Sequence, residues 1–113
     1  MTAQSKLITS PPYAVERSLA RLGSDLRTAR LRRNLTLKAV AEKIGTSMKT
    51  VQDAEKGKPS TGIAVYAALL WATDLLHQLD DIALPEKDEE GQRLALAREK
   101  TRARSKRGLN NDF

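Results

Sequence analysis

The stretch from Thr36 to Gly57, TLKAVAEKIGTSMKTVQDAEKG, constrains what this chain can fold into more than any other. Leu37, Val40, Ala41 and Ile44 recur at i, i+3, i+4 and i+7, the spacing that gathers apolar side chains on one face of an α-helix. Gly45 follows at once, and glycine adopts the left-handed backbone that ends a helix without the steric cost of a β-carbon. A second helix is predicted to open on Ser47, whose side-chain oxygen can accept a hydrogen bond from a free backbone N–H of the first turn. Val51 and Ala54 then turn inward, and Met48, Lys49, Thr50, Gln52 and Asp53 turn outward. Two short helices thus meet at one tight turn, and the second shows a polar outer face.

The residues that carry this pattern, Leu35-Thr36, Val40-Ala41, Ile44-Gly45-Thr46-Ser47, Val51 and Glu55-Lys56-Gly57, resemble the Cro/CI-type (XRE) helix-turn-helix family over about Leu22 to Leu75. Two positions depart from it. Leu37 stands where the family often has a glutamine that helps hold a phosphate, and Ala54 is smaller than usual. The resemblance implies an all-α, five-helix Cro/CI-type domain and a sequence-specific DNA-binding regulator, a repressor acting as a homodimer on double-stranded operator DNA. It implies base reading by Met48, Lys49, Thr50, Gln52 and Asp53, with Lys49 the main polar contact, to guanine, and Thr50 on phosphate or a thymine methyl. Phosphate contacts are expected from Arg32, Arg33, Thr36, Lys38, Lys43, Ser47, Lys56 and Lys58, with Lys38 and Lys43 on one track. Arg32 and Arg33 end the preceding helix near a helix N-terminus whose free N–H groups also favour an anion. The competing interpretation is a helical hairpin with no nucleic-acid role.

Length and charge fit that expectation. A chain of 113 residues allows one small helical domain with extensions. Twenty Lys and Arg against 14 Asp and Glu give +6, with a pI near 9.9, a balance that favours polyanionic partners. The absence of cysteine excludes disulfides and thiolate metal sites. No run approaches the ~20 apolar residues that cross a bilayer, so the expectation is a cytoplasmic, nucleoid-associated protein with no membrane partner.

Before the central stretch, residues 1–12 are expected to form a flexible tail. Ser10-Pro11-Pro12 then starts a helix, since proline suits the first turn. Val15, Leu19, Leu22, Leu26 and Ala29 carry its apolar stripe to about Arg33. Gly23 is expected to break or bend it, at a cost of about 1 kcal/mol relative to alanine. Arg17, Arg21, Arg27, Arg30, Arg32 and Arg33 are assigned to its outer face, with Glu16 and Asp25. After Gly57, Lys58-Pro59-Ser60 stops one helix and caps the next, in which Ile63, Tyr66, Ala67, Leu70 and Trp71 form a core stripe. A break is predicted at Thr73-Asp74. Beyond it, Leu75, Leu76, Leu79, Ile82 and Leu84 exceed what so small a core needs and are expected to form a dimer interface. His77 is the one histidine, so a transition-metal site is not expected. No nucleophile, base and orienting group form a catalytic set; neither enzyme activity nor a cofactor is expected.

The domain is expected to span residues 13–79. The sign of the charge then alternates. From Asp74 to Glu90 seven carboxylates face Lys87 alone, and residues 80–92 are expected to be an acidic linker or dimerisation segment, partly extended. Residues 93–113 form a basic extension, expected to be disordered until Arg98, Lys100, Arg102, Arg104, Lys106, Arg107 and Phe113 meet DNA or a partner. This short chain with a basic tail is similar to HipB-like antitoxins, a resemblance that implies repression of its own operon and binding of a HipA-like kinase toxin. Alternatives are a phage-type or stand-alone repressor, and a protein- or RNA-binding adaptor on the same fold. Few aromatics are present to stack on bases, which argues against single-stranded RNA.

Overall fold

The computed structural model describes the backbone of residues 5–110 and the side chains of residues 5–106. Phe113 and the side chains of Arg107 and Leu109 lie outside the described residues. Among the described residues all regular structure is helical, in the order α1 (Lys6–Thr9), α2 (Tyr13–Arg32), α3 (Leu37–Ile44), α4 (Met48–Glu55), α5 (Ile63–Ala72), two 3-10 helices (Leu76–Asp81 and Pro85–Lys87) and α6 (Glu89–Asn110). This is the all-α, Cro/CI-like fold expected. Its fifth helix, after the predicted break, is the 3-10 helix at Leu76, and residues 1–12 contain the single helical turn α1. The chain divides into two units, one ending at Leu79 and one beginning at Asp80.

In the first unit, four helices end in the same way. A left-handed residue stands at the cap or just after it: Asn34 (φ 58°) after α2, Gly45 (79°) after α3, Gly57 (71°) after α4 and Asp74 (63°) after α5. The next N–H then reaches back to a carbonyl in the last turn, from Leu35 to Arg30, Thr46 to Ala41, Lys58 to Asp53 and Leu75 to Leu70. Glycine, asparagine and aspartate are the residues that tolerate this backbone best. Leu35 and Leu75, each just past such a turn, fold back onto the core. That core is Leu26, Val40, Ala41, Val51, Ala54, Tyr66, Leu69, Leu70 and Ala72.

Three expectations about packing are corrected. α2 runs unbroken through Gly23. A β-carbon there would lie 2.6 Å from the carbonyl oxygens of both Ala54 and Glu55, and one on Gly57 would meet the carbonyl of Leu19. Gly23 is therefore the place where two backbones touch, not a hinge. The α2 stripe is buried only at Leu26 and Ala29; Leu19 and Leu22 are half-buried and Val15 is exposed. On α5 the buried residues are Tyr66, Leu69, Leu70 and Ala72, whereas Ile63 and Trp71 are 69% and 52% exposed. Trp71, expected in the core, instead carries the Lys43 ammonium 5.2 Å from its ring centroid.

The second unit also departs from expectation. The segment from Asp80 to Pro85, expected to be extended, begins and ends in 3-10 turns, with Ala83 left-handed (φ 56°) between them. The basic extension, expected to be disordered, is helical to Asn110. Asp88 caps α6, its Oδ1 accepting from the Gly91 N–H at 3.0 Å, and Gln92 Nε2 donates to the Pro85 carbonyl at 3.0 Å. Glu89 and Glu90 occupy the first turn, where the helix dipole favours anions, and the cations follow toward its negative end.

Gly23→Ala should therefore destabilise the protein by about 2 kcal/mol or more through overpacking, although alanine is the better helix former. Gly62→Ala, where an added β-carbon meets nothing within 4 Å, should change stability little. Urea unfolding of both variants checks this; a more stable Gly23→Ala would contradict the backbone contact.

Candidate nucleic-acid interface

The outer face of α4 is presented by local chemistry at its start and tertiary chemistry at its end. At the start, Ser47 Oγ accepts from the Thr50 N–H at 3.1 Å and lies 2.9 Å from the Thr50 hydroxyl. Thr36 does the same for α3, accepting from the Ala39 N–H at 3.0 Å. Val51 and Ala54, both with no exposed surface, lock the inner face.

At the end of α4 stands an ion pair that the sequence did not reveal. Arg30, assigned there to the outer face of α2, is only 7% exposed. Its Nε and Nη2 donate to the two carboxylate oxygens of Glu55 at 2.6 and 3.0 Å, and its Nη1 donates to the Leu35 carbonyl at 2.9 Å. One guanidinium thus ties α2, the turn before α3 and the last residue of α4. The hydrogen bond to Glu55 raises the Arg30 pKa and outweighs the burial that lowers it, and the Glu55 charge adds to the rise. Nothing local to α2 signals this pair, because the partner lies 25 positions away.

Of the base-reading candidates, Met48, Lys49 and Gln52 are exposed, while Thr50 and Asp53 are half-buried. Lys49 Nζ and Lys58 Nζ lie 3.7 and 3.2 Å from the two oxygens of Asp53. Partial burial pushes the Asp53 carboxyl up, but the Lys58 hydrogen bond and the charges of Lys49, Lys58 and Lys56 outweigh it and hold the pKa below its ordinary value. Asp53 is thus an anion at neutral pH, set between the lysines of its own surface.

The phosphate candidates separate into different places. Arg27, Arg30, Leu37, Gln52, Glu55 and Lys56 line one groove of about 300 Å³ beside the first residue of α3. Arg27, Gln52 and Lys56 are exposed there. Arg32 and Arg33 line a different groove, with Asp25, Thr28, Leu75 and Gln78, and Arg33 Nη1 donates to the Ala29 carbonyl at 2.9 Å. Lys38 is exposed near the start of α3; Lys43 lies about 140° further around that helix, against Trp71, so the two lysines do not share a track. Thr36 and Ser47 are both exposed caps, and Lys58 is paired with Asp53. The structure thus gathers Arg27, Gln52 and Lys56, of which Arg27 was not singled out in the sequence.

The expected dimer residues also divide. Leu75 and Leu79 pack against the core of their own chain, so they are not in excess of what that core needs. Leu76 and Ile82 are exposed and Leu84 is half-buried.

A family model described as a helix-turn-helix domain matches residues 21–80, just over half of the chain. Neither the curated proteins nor the solved structures include a match to this chain.

Glu55→Gln would leave the Arg30 charge buried and half-paired. Breaking a buried ion pair from one side costs about 3–5 kcal/mol, and with side chains this little exposed (9% and 7%) the loss should fall near that range. Chemical denaturation checks it; a loss no larger than that of a surface pair, below about 1 kcal/mol, would contradict the structural role.

Proposed function

Since the chain belongs to the helix-turn-helix domain family, an XRE-like family of DNA-binding regulators, we propose that it is a sequence-specific repressor that reads its operator with α4. One observation carries this reading: a helix with a fully buried inner face and a polar outer face of Lys49, Gln52 and Asp53 is held at both ends, by the Ser47 cap and by Arg30–Glu55. A helix of about 10–12 Å diameter fits the major groove of B-form DNA. Lys49 then donates to a guanine, Gln52 pairs with an adenine or reaches a phosphate, and Asp53, kept ionised, accepts from a cytosine amine or rejects a misplaced phosphate. Thr50, whose hydroxyl is engaged by Ser47, contributes its methyl to a thymine. Arg27, Lys56, Lys38 and the free N–H groups at the start of α3 supply the backbone contacts.

The protein acts by binding, without catalysis, and as a homodimer. α5 has no charged side chain and is apolar on every side, a pattern that fits a helix covered on both faces. Its inner face meets the core, and Ile63, Ala64 and Trp71 remain outside. A second copy covering that face would bring two α4 helices to one duplex, as a two-fold operator requires. The antitoxin form of this reading, with a HipA-like kinase toxin as partner, is supported by the resemblance alone; a neighbouring gene for a kinase-like protein and co-elution of the two products would support it further. The expected site of action is the cytoplasm; among the described residues no helix is long and apolar enough to cross a membrane.

Selection from random duplexes, followed by titration, tests base reading. Lys49→Ala should cost roughly 1–3 kcal/mol on the selected duplex and relax preference at one position. Equal losses on selected and random DNA would move Lys49 to a phosphate role. Failure to enrich any sequence would overturn the repressor reading.

For the dimer, Ile63→Asp with Trp71→Ala should convert a sedimenting dimer to monomer. A wild-type monomer at micromolar concentration would contradict it.

A further inference from the structure

We propose that α6 is a second DNA-binding element, entering a major groove with two opposed rows of cations. The proposal rests on duplex DNA being the partner of this chain, and concerns a helix that the reading of α4 does not use. Between Arg98 and Arg107 six cations face one anion, Glu99. At 100° per residue, Arg98, Arg102 and Lys106 fall in one row and Lys100 and Arg104 in another, with the row centres about 180° apart around the axis. All five side chains are exposed.

What lies between the rows decides the occupant. On one side run Ala97, Thr101 and Ser105, spaced i, i+4, i+8, midway between the cationic rows. Their short side chains let the helix axis approach a floor closely, while the long arginines and lysines extend to walls on either side. A major groove supplies both parts: a floor of base edges and two walls of phosphate about 12 Å apart. An acidic protein surface or an anionic bilayer offers one plane of charge and would leave one row unpaired. A second α6 is disfavoured by like-charge repulsion along the same segment.

The helix is also charged end to end in the sense this docking needs. Asp88, Glu89 and Glu90 at its start would be repelled by phosphate, and the cations occupy only the later turns. The basic part therefore enters and the acidic start stays outside. With Ala, Thr and Ser on the floor side, the contact is mostly to phosphate and tolerant of sequence, so it adds affinity and salt dependence more than base preference.

The test uses the full chain, fluorescence anisotropy on random-sequence duplex, and a salt series. One variant replaces a row, Arg98→Gln with Arg102→Gln and Lys106→Gln; another replaces Lys100→Gln with Arg104→Gln; a third combines them. Circular dichroism confirms that α6 stays helical. Every phosphate that a variant no longer neutralises should lower the slope of log K against log salt by about 0.9, so both rows should reduce it, and the combined variant by their sum. A reduction confined to one row, with binding to phosphatidylserine vesicles falling in parallel, would overturn the groove in favour of a flat anionic surface; an unchanged slope in all variants would overturn it outright. Preference for the selected duplex, read separately through Lys49→Ala, keeps the two ideas apart. A wild-type chain that binds duplex through the α6 rows without preferring any sequence removes the repressor reading and leaves this one standing.

Discussion

The Arg30 guanidinium sits almost out of water, and that is tolerable only because its donors are met by two carboxylate oxygens and a carbonyl. An arginine in this position cannot lose its proton to escape burial, so the three elements that supply those acceptors are bound to one planar, five-donor group. Gly23 and Gly57 also bring α2 and the end of α4 into backbone contact. The direction in which α4 points therefore follows from a rigid joint, not from the short helix itself, since eight residues would be marginal as an isolated helix. A short helix held this way would lose little entropy on meeting a partner.

The same economy runs through the rest of the first unit. Each of four successive helices is closed by a left-handed residue and a returning N–H. These ends satisfy carbonyls that would otherwise compete for water, and two of them aim a leucine back into the core. So few residues can form a small core because the turns as well as the helices contribute to it. Among the described residues the second unit has no such core: every described side chain of α6 is exposed. Its helix is supported by composition, an Asp88 cap and charges ordered along the dipole.

What could be seen in the sequence was local. Gly45, the caps Thr36 and Ser47, the inward Val40, Ala41, Val51 and Ala54, and the break at Asp74 each depend on neighbours within a turn or two. Arg30 read as one more surface arginine because its partner, Glu55, is distant in the chain. Gly23 looked like a flaw in a helix because the backbone it accommodates belongs to another. Trp71 and Ile63 share the helical spacing of a core stripe, but α5 is apolar all round and periodicity cannot say which side faces inward. Lys43 and Lys38 are neighbours in sequence and diverge around α3. For α6, the charge density suggested disorder, while the Ala, Leu, Arg and Lys composition and the acidic first turn favoured a helix; the second signal was the one to weigh.

The central claim is that α4, fixed by Arg30 and Glu55, is the surface that meets the bases. Backbone amide shifts on titration with a selected duplex measure this directly. The largest changes are predicted from Ser47 to Asp53, with smaller ones at Arg27, Lys38 and Lys56, and little change at Val40 and Leu69 in the core. Shifts confined to α5 or α6, with α4 unmoved at saturation, would contradict it.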